Sequence, residues 1–95
     1  MTILQIEHGV RDYEAWKQAF DNDPVGREAG GVRRYRIMRP AEEPNYVLIE
    51  LEFDSPGEAD AFRGKLRELW GRMGDDLGLE GPQARIVEAV ESKEY

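Results

Sequence analysis

The 95-residue sequence predicts an α+β fold in the order strand, helix, strand, strand, helix, strand, and three features carry that prediction. Gly31–Phe53 holds two runs, GVRRYRIMR and NYVLIELEF, joined by Pro40-Ala41-Glu42-Glu43-Pro44. Their β-branched and aromatic content, bounded by Gly, Pro and Asn, is that of a hairpin. Thr2–Val10 sets Leu4, Ile6, His8 and Val10 against Ile3, Gln5 and Glu7, the alternation of a half-buried strand. Ser55-Pro56-Gly57-Glu58 supplies an N-cap, a proline at the first helical position and the acid of a capping box, a strong helix start.

The remaining elements follow in order. After the first strand, Asp12 is a side-chain N-cap, and Tyr13, Trp16 and Phe20 recur at helical spacing with Ala15 and Ala19 beside them. That helix stops at Asn22 or Asp23, because Pro24 disfavours helix in the residue before it. Val25–Ala29 adds a short turn, and Gly30-Gly31 leads into the hairpin. Folded symmetrically about Glu42, the hairpin sets Arg34 opposite Glu50 and Arg36 opposite Leu48. One face then carries Tyr35, Ile37, Val47, Ile49, Leu51 and Phe53; the other carries Val32, Arg34, Arg36, Met38, Tyr46, Leu48, Glu50 and Glu52. A slip by one residue would mix arginine into the apolar face, so the pattern selects the register.

In the second helix Ala59, Phe62, Leu66, Leu69 and Met73 follow at steps of three and four, with Trp70 alongside. Gly64 within it costs roughly 1 kcal/mol relative to alanine, which suggests close packing there. Gly71–Pro82 reads as an acidic, glycine-rich loop, Gln83–Val90 as the last strand, and Glu91–Tyr95 as a polar tail. Right-handed crossovers turn this order into the ferredoxin-like βαββαβ arrangement, a four-stranded antiparallel sheet with two helices on one face. The opposite face, with Val32, Met38, Tyr46 and Leu48 among charges, is too apolar for solvent and too charged for a monomer core. A homodimer packed face to face is the expectation, with Arg34, Arg36, Tyr46 and Glu50 at the interface.

Composition limits what such a protein does. A chain of this length makes one domain, spanning 1–95, and buries only about two thirds of its unfolded surface. It contains no cysteine, which removes disulfides and thiolate metal sites. No metal site is expected: the acids Glu42-Glu43 and Asp75-Asp76 lack ligand spacing and read as surface. The net charge of −7 argues against nucleic acid, whose phosphates need excess Lys and Arg. An RNA-recognition domain shares the strand order but stacks bases on aromatics of its first and third strands, and Ile3–Glu7 has none. No run approaches membrane-spanning length, and no signal peptide opens the chain; the cytoplasm is the expected location.

The segments His8-Gly9-Val10-Arg11-Asp12-Tyr13-Glu14-Ala15-Trp16, Phe20-Asp21, Pro44-Asn45-Tyr46-Val47 and Glu52-Phe53-Asp54-Ser55 resemble small dimeric α+β-barrel proteins related to the antibiotic-biosynthesis monooxygenases and small cyclases. The resemblance rests on fold-bearing residues over most of the chain, and one fold hosts many activities. It implies a dimeric α+β barrel whose pocket lies inside each subunit, between sheet and helices. It also implies several possible chemistries: cofactor-free oxygenation of aromatic polyketides, haem degradation, aldoxime dehydration or no catalysis. Haem-degrading members use an Asn, Trp and His set. This chain has no second histidine for its second helix and no Asn near the start of its first strand, which disfavours that activity.

His8 is the one side chain with an unperturbed pKa near neutrality, and its parity points it towards the helices. It is the candidate general base or orienting hydrogen-bond donor for a phenolic or enolic substrate, with Tyr13 contributing a hydroxyl. A strand-end histidine bonded to backbone or to Asp12 is the plainer reading. Trp16, Tyr35, Phe62 and Trp70 are candidates to hold a flat ligand, or are ordinary core. Two functions therefore stand side by side. One is a small monooxygenase- or cyclase-like enzyme, needing no cofactor, that binds an aromatic or polyketide-like ligand. The other is a non-catalytic dimeric module that binds a ligand or a protein.

Overall fold

The computed structural model describes residues 1–95. Six elements follow in the expected order: β1 (Thr2–Val10), α1 (Tyr13–Asp21), β2 (Arg34–Met38), β3 (Tyr46–Phe53), α2 (Pro56–Leu77) and β4 (Leu79–Glu88). The strands form one antiparallel sheet in the order β2-β3-β1-β4. Both helices pack on one side of it, the ferredoxin-like arrangement.

The alternation along the two central strands decides which side. Leu4, Ile6, His8 and Val10 of β1 and Val47, Ile49, Leu51 and Phe53 of β3 are all buried. Trp16 from α1 and Ala59, Phe62 and Leu69 from α2 close over them. Asp12 caps α1 by accepting from Ala15 N at 3.0 Å. Ser55 caps α2, its hydroxyl accepting from Glu58 N at 3.2 Å and donating to Glu58 Oε1 at 3.3 Å.

Four local expectations are corrected. The hairpin pairs Arg34 with Glu52 and Arg36 with Glu50, two residues from the symmetric estimate. Two turns, Glu43 N to Pro40 O and Tyr46 N to Glu43 O, move its centre from Glu42 to Glu43. A shift of two preserves both faces, so the alternation could not detect it.

β2 begins at Arg34 rather than Gly31. Val32 N is bonded to Arg27 O in the preceding turn, and Arg33 N to Glu52 O is the first contact with β3.

Gly71–Leu77 is helix, not loop, and β4 starts at Leu79. Leu66, Leu69, Trp70 and Leu77 line one cleft, and that packing outweighs the weak propensity of Gly71 and Gly74. The stop is Gly78, left-handed at φ 71°, with its N–H bonded to Asp75 O.

Gly64 faces open space, with nothing within 4 Å of where a Cβ would stand. It marks no close contact.

Candidate functional site

Between sheet and helices lies a cleft of about 80 Å³, lined by 17 residues of which 13 are hydrophobic. Ile6 and His8 of β1 and Ile49 and Leu51 of β3 form its floor, while Trp16, Phe62, Leu66 and Trp70 descend from the helices. The segment between α1 and β2 brings Asp23, Pro24, Val25 and Arg27 to it.

His8 owes its position to the sheet. It pairs with Val47 on β3, but β1 and β4 shift register between Glu7 and Gly9. Glu7 faces Gln83 and Gly9 faces Glu80, so Gly81 and Pro82 bulge opposite His8. Gly81 is left-handed at φ 59°, and proline is tolerated at a bulge because it has no N–H to give the ladder.

His8 is 2% exposed and meets both indoles edge to face, with ring centroids 5.8 Å from Trp16 and 6.3 Å from Trp70. Its Nδ1 lies 3.1 Å from Gly9 O. A carbonyl only accepts, so Nδ1 carries the proton of the neutral ring and Nε2 is left with a bare lone pair. Nε2 has no partner in the chain, and the sealed, unpartnered side-chain polar atoms are confined to Arg63 Nε. It therefore opens on the cleft that His8 lines. Desolvation lowers the His8 pKa from 6.5, opposed by the Gly9 hydrogen bond, so the ring is neutral at pH 7.

The sequence candidates divide cleanly. His8, Trp16, Phe62 and Trp70 meet at the cleft; Tyr13 and Tyr35 do not line it. Tyr13 packs on Trp16 with Arg39 stacked 4.1 Å above its ring. Tyr35 is 45% exposed near the sheet edge, against Phe20 and Arg27. β2 is the outermost strand on that side, so its helix-facing side chain falls beyond the cover.

Arg27 is the cleft residue the sequence reading missed. Its guanidinium stacks 3.9 Å over Phe20, its Nη1 donates to Phe20 O at 2.8 Å, and Asp23 lies 3.5 Å away. Asp23 also accepts from Arg27 N at 2.9 Å and holds a left-handed backbone, φ 54°. Asp-Pro beside a glycine signals a turn, but nothing in the pattern says where that turn folds.

Arg34, Arg36, Tyr46 and Glu50 lie on the opposite, helix-free face. Arg34 pairs with Glu52 at 3.3 Å and Arg36 with Glu50 at 2.6 Å, while Arg85 donates to Gln5 at 2.8 Å. Ile3, Met38, Leu48 and Val87 stand half-buried among them. Desolvation, then the carboxylates of Glu7 and Glu43, hold the Tyr46 phenol above its ordinary value.

No family model matches the sequence, and no curated protein matches it. The fold has clear counterparts among solved structures. A protein from Deinococcus radiodurans, provisionally described as an antibiotic biosynthesis monooxygenase, superposes with a TM-score of 0.67 at 15% identity, over 100% of this chain and 98% of its own. One from Nitrosomonas europaea with the same provisional description gives 0.66 at 19% identity, over 96% and 100%. A dimeric ferredoxin-like protein from an uncultured marine organism gives 0.64 at 12%, over 99% and 98%. At these identities the likeness is one of fold, and it extends over the whole chain.

Proposed function

We propose that this chain acts as one domain of a cytoplasmic homodimer and binds an aromatic or polyketide-like ligand in the cleft between sheet and helices. There it performs cofactor-independent monooxygenase- or cyclase-like chemistry. The observation that carries the reading is His8, whose bare Nε2 opens on an apolar cleft flanked by Trp16 and Trp70. The described function of the Deinococcus and Nitrosomonas counterparts supports it by analogy of fold.

In this scheme the substrate hydroxyl reaches Nε2 and transfers its proton as its enolate or phenolate forms. The resulting imidazolium and oxyanion attract each other in a low-dielectric site, which offsets the cost of charging a buried ring. The electron-rich carbon then reduces dioxygen: one oxygen atom stays on that carbon as a carbonyl as the carbon loses its hydrogen, and the other leaves as water with that hydrogen and the proton returned by His8. The tryptophans exclude solvent and orient the ring. No helix is long and apolar enough to cross a membrane.

The dimer would form through the helix-free face. Only 15 of 95 residues are buried in one copy, and a small core gains most from a partner. Described dimers with this fold support the reading. Oxygen consumption with phenolic and enolic aromatics tests the chemistry. His8→Gln should lower turnover by about a hundredfold or more, the usual contribution of a positioned general base. Unchanged turnover in that variant would reject His8 as the base, and no oxygen consumption with any of these substrates would favour a non-catalytic binding module.

A further inference from the structure

The cleft's contents restrict its ligand more tightly than its location does. Of its four non-hydrophobic lining residues, Pro24 has no polar side chain, and Asp23 and Arg27 occupy each other. Arg27 Nη1 is committed to Phe20 O, with Asp23 3.5 Å away. An incoming carboxylate would thus meet a cation already matched, beside an acid that repels it. Burying a charge without a partner is far costlier than burying a hydrogen-bonded hydroxyl. His8 Nε2 is an acceptor, so it rewards a ligand that brings a proton on oxygen.

Size narrows the choice again. About 80 Å³ is several times the roughly 10–15 Å³ that one water needs, and short of the roughly 150 Å³ dry cavity that encloses a benzene ring. It is far from the roughly 300 Å³ at which drug-sized pockets begin. The cleft is open, so its size suits a single ring with one edge at the mouth and falls short of three fused rings.

We infer that the cleft takes a neutral, single-ring aromatic whose hydroxyl donates a hydrogen bond to His8 Nε2. The inference rests on the cleft being the functional site, and it narrows the ligand class from polyketide-sized systems to simple phenols. Binding as the neutral phenol also leaves on the ligand the proton that the proposed chemistry removes.

The test titrates phenol, toluene, benzoate and the three-ring ketone anthrone against the intact protein. Trp16 and Trp70 are its only tryptophans and both line the cleft, so selectively excited tryptophan fluorescence reports on this site. Phenol should bind roughly three- to tenfold tighter than toluene, the gain of one net hydrogen bond. That preference should vanish in His8→Phe. The ¹⁵N resonance of His8 Nε2 in wild-type protein should move with phenol and not with toluene, which keeps the test decisive if the variant fails to fold. Equal affinities with an unmoved Nε2 resonance would overturn the hydrogen bond. Benzoate binding tighter than phenol would overturn the neutral ligand, and anthrone binding tighter than phenol would overturn the size limit. If none of the four changes the fluorescence, the cleft is not a ligand site and the proposed function falls with the inference.

Discussion

Gly30→Ala should destabilise the protein, and the reason lies in one side chain. A Cβ at Gly30 would stand 2.6 Å from Phe62 Cδ1, 2.9 Å from Phe62 Cε1 and 3.2 Å from Gly26 O. Phe62 is 2% exposed, packs on Phe53 at 5.6 Å between centroids, and lines the cleft, so its ring cannot retreat freely. The backbone at Gly30 is not in the left-handed region, so alanine carries no torsional strain there. Restricting the unfolded chain would by itself stabilise the variant by about 0.4–1 kcal/mol. Overpacking a core contact costs about 1–3 kcal/mol, and the clash wins by about 1–2 kcal/mol. For a domain of this size that is a fall in Tm of roughly 5–15 °C. Urea and thermal unfolding at fixed protein concentration measure it.

Gly64→Ala is the control of opposite sign. Gly64 is exposed in the interior of α2 with nothing near its missing Cβ, so the variant should gain about 0.5–1 kcal/mol from helix propensity. Adding Phe62→Leu to Gly30→Ala should recover part of the loss, because the two positions touch and their effects are not additive. A Gly30→Ala protein as stable as wild type would refute the tight seat of Phe62.

His8 gives a pH dependence with a definite sign. Burial lowers its folded pKa from 6.5, so below that pH the unfolded chain binds a proton that the folded one resists. The contribution is fully present above about pH 6.5 and is lost as pH falls through the lowered folded value. The stability of wild type relative to His8→Gln should therefore drop on acidification across that window; a difference flat in pH would contradict the burial. Leu48→Arg should leave the monomer folded, since the side chain lies half-buried on the helix-free face. A two-fold face-to-face dimer would meet the unpaired charge twice. At about 3–5 kcal/mol per buried unpaired charge, light scattering should then find monomer, and a persisting dimer would place the interface elsewhere.

Local pattern was enough to establish which elements form and which way they face. Alternation in Thr2–Val10 and Tyr46–Phe53 assigned every core side chain of β1 and β3, and the caps at Asp12 and Ser55 fixed where both helices begin. Those are local signals, since a period of two residues or a hydroxyl three residues from an N–H needs no distant partner. The end of α2 was not legible, because Gly71 and Gly74 are poor helix formers and the cleft contacts that hold Trp70 and Leu77 come from other elements. Hairpin pairing escaped for a related reason, a shift of two leaving the pattern unchanged. The site divided in the same way. Parity pointed His8 inward, but only tertiary structure placed it opposite the Gly81-Pro82 bulge and between the two indoles. Only the folded chain brought Arg27 to the cleft and left Tyr13 and Tyr35 outside it. A position on a strand or helix sets the direction of a side chain, and what waits there is decided by segments far away in sequence.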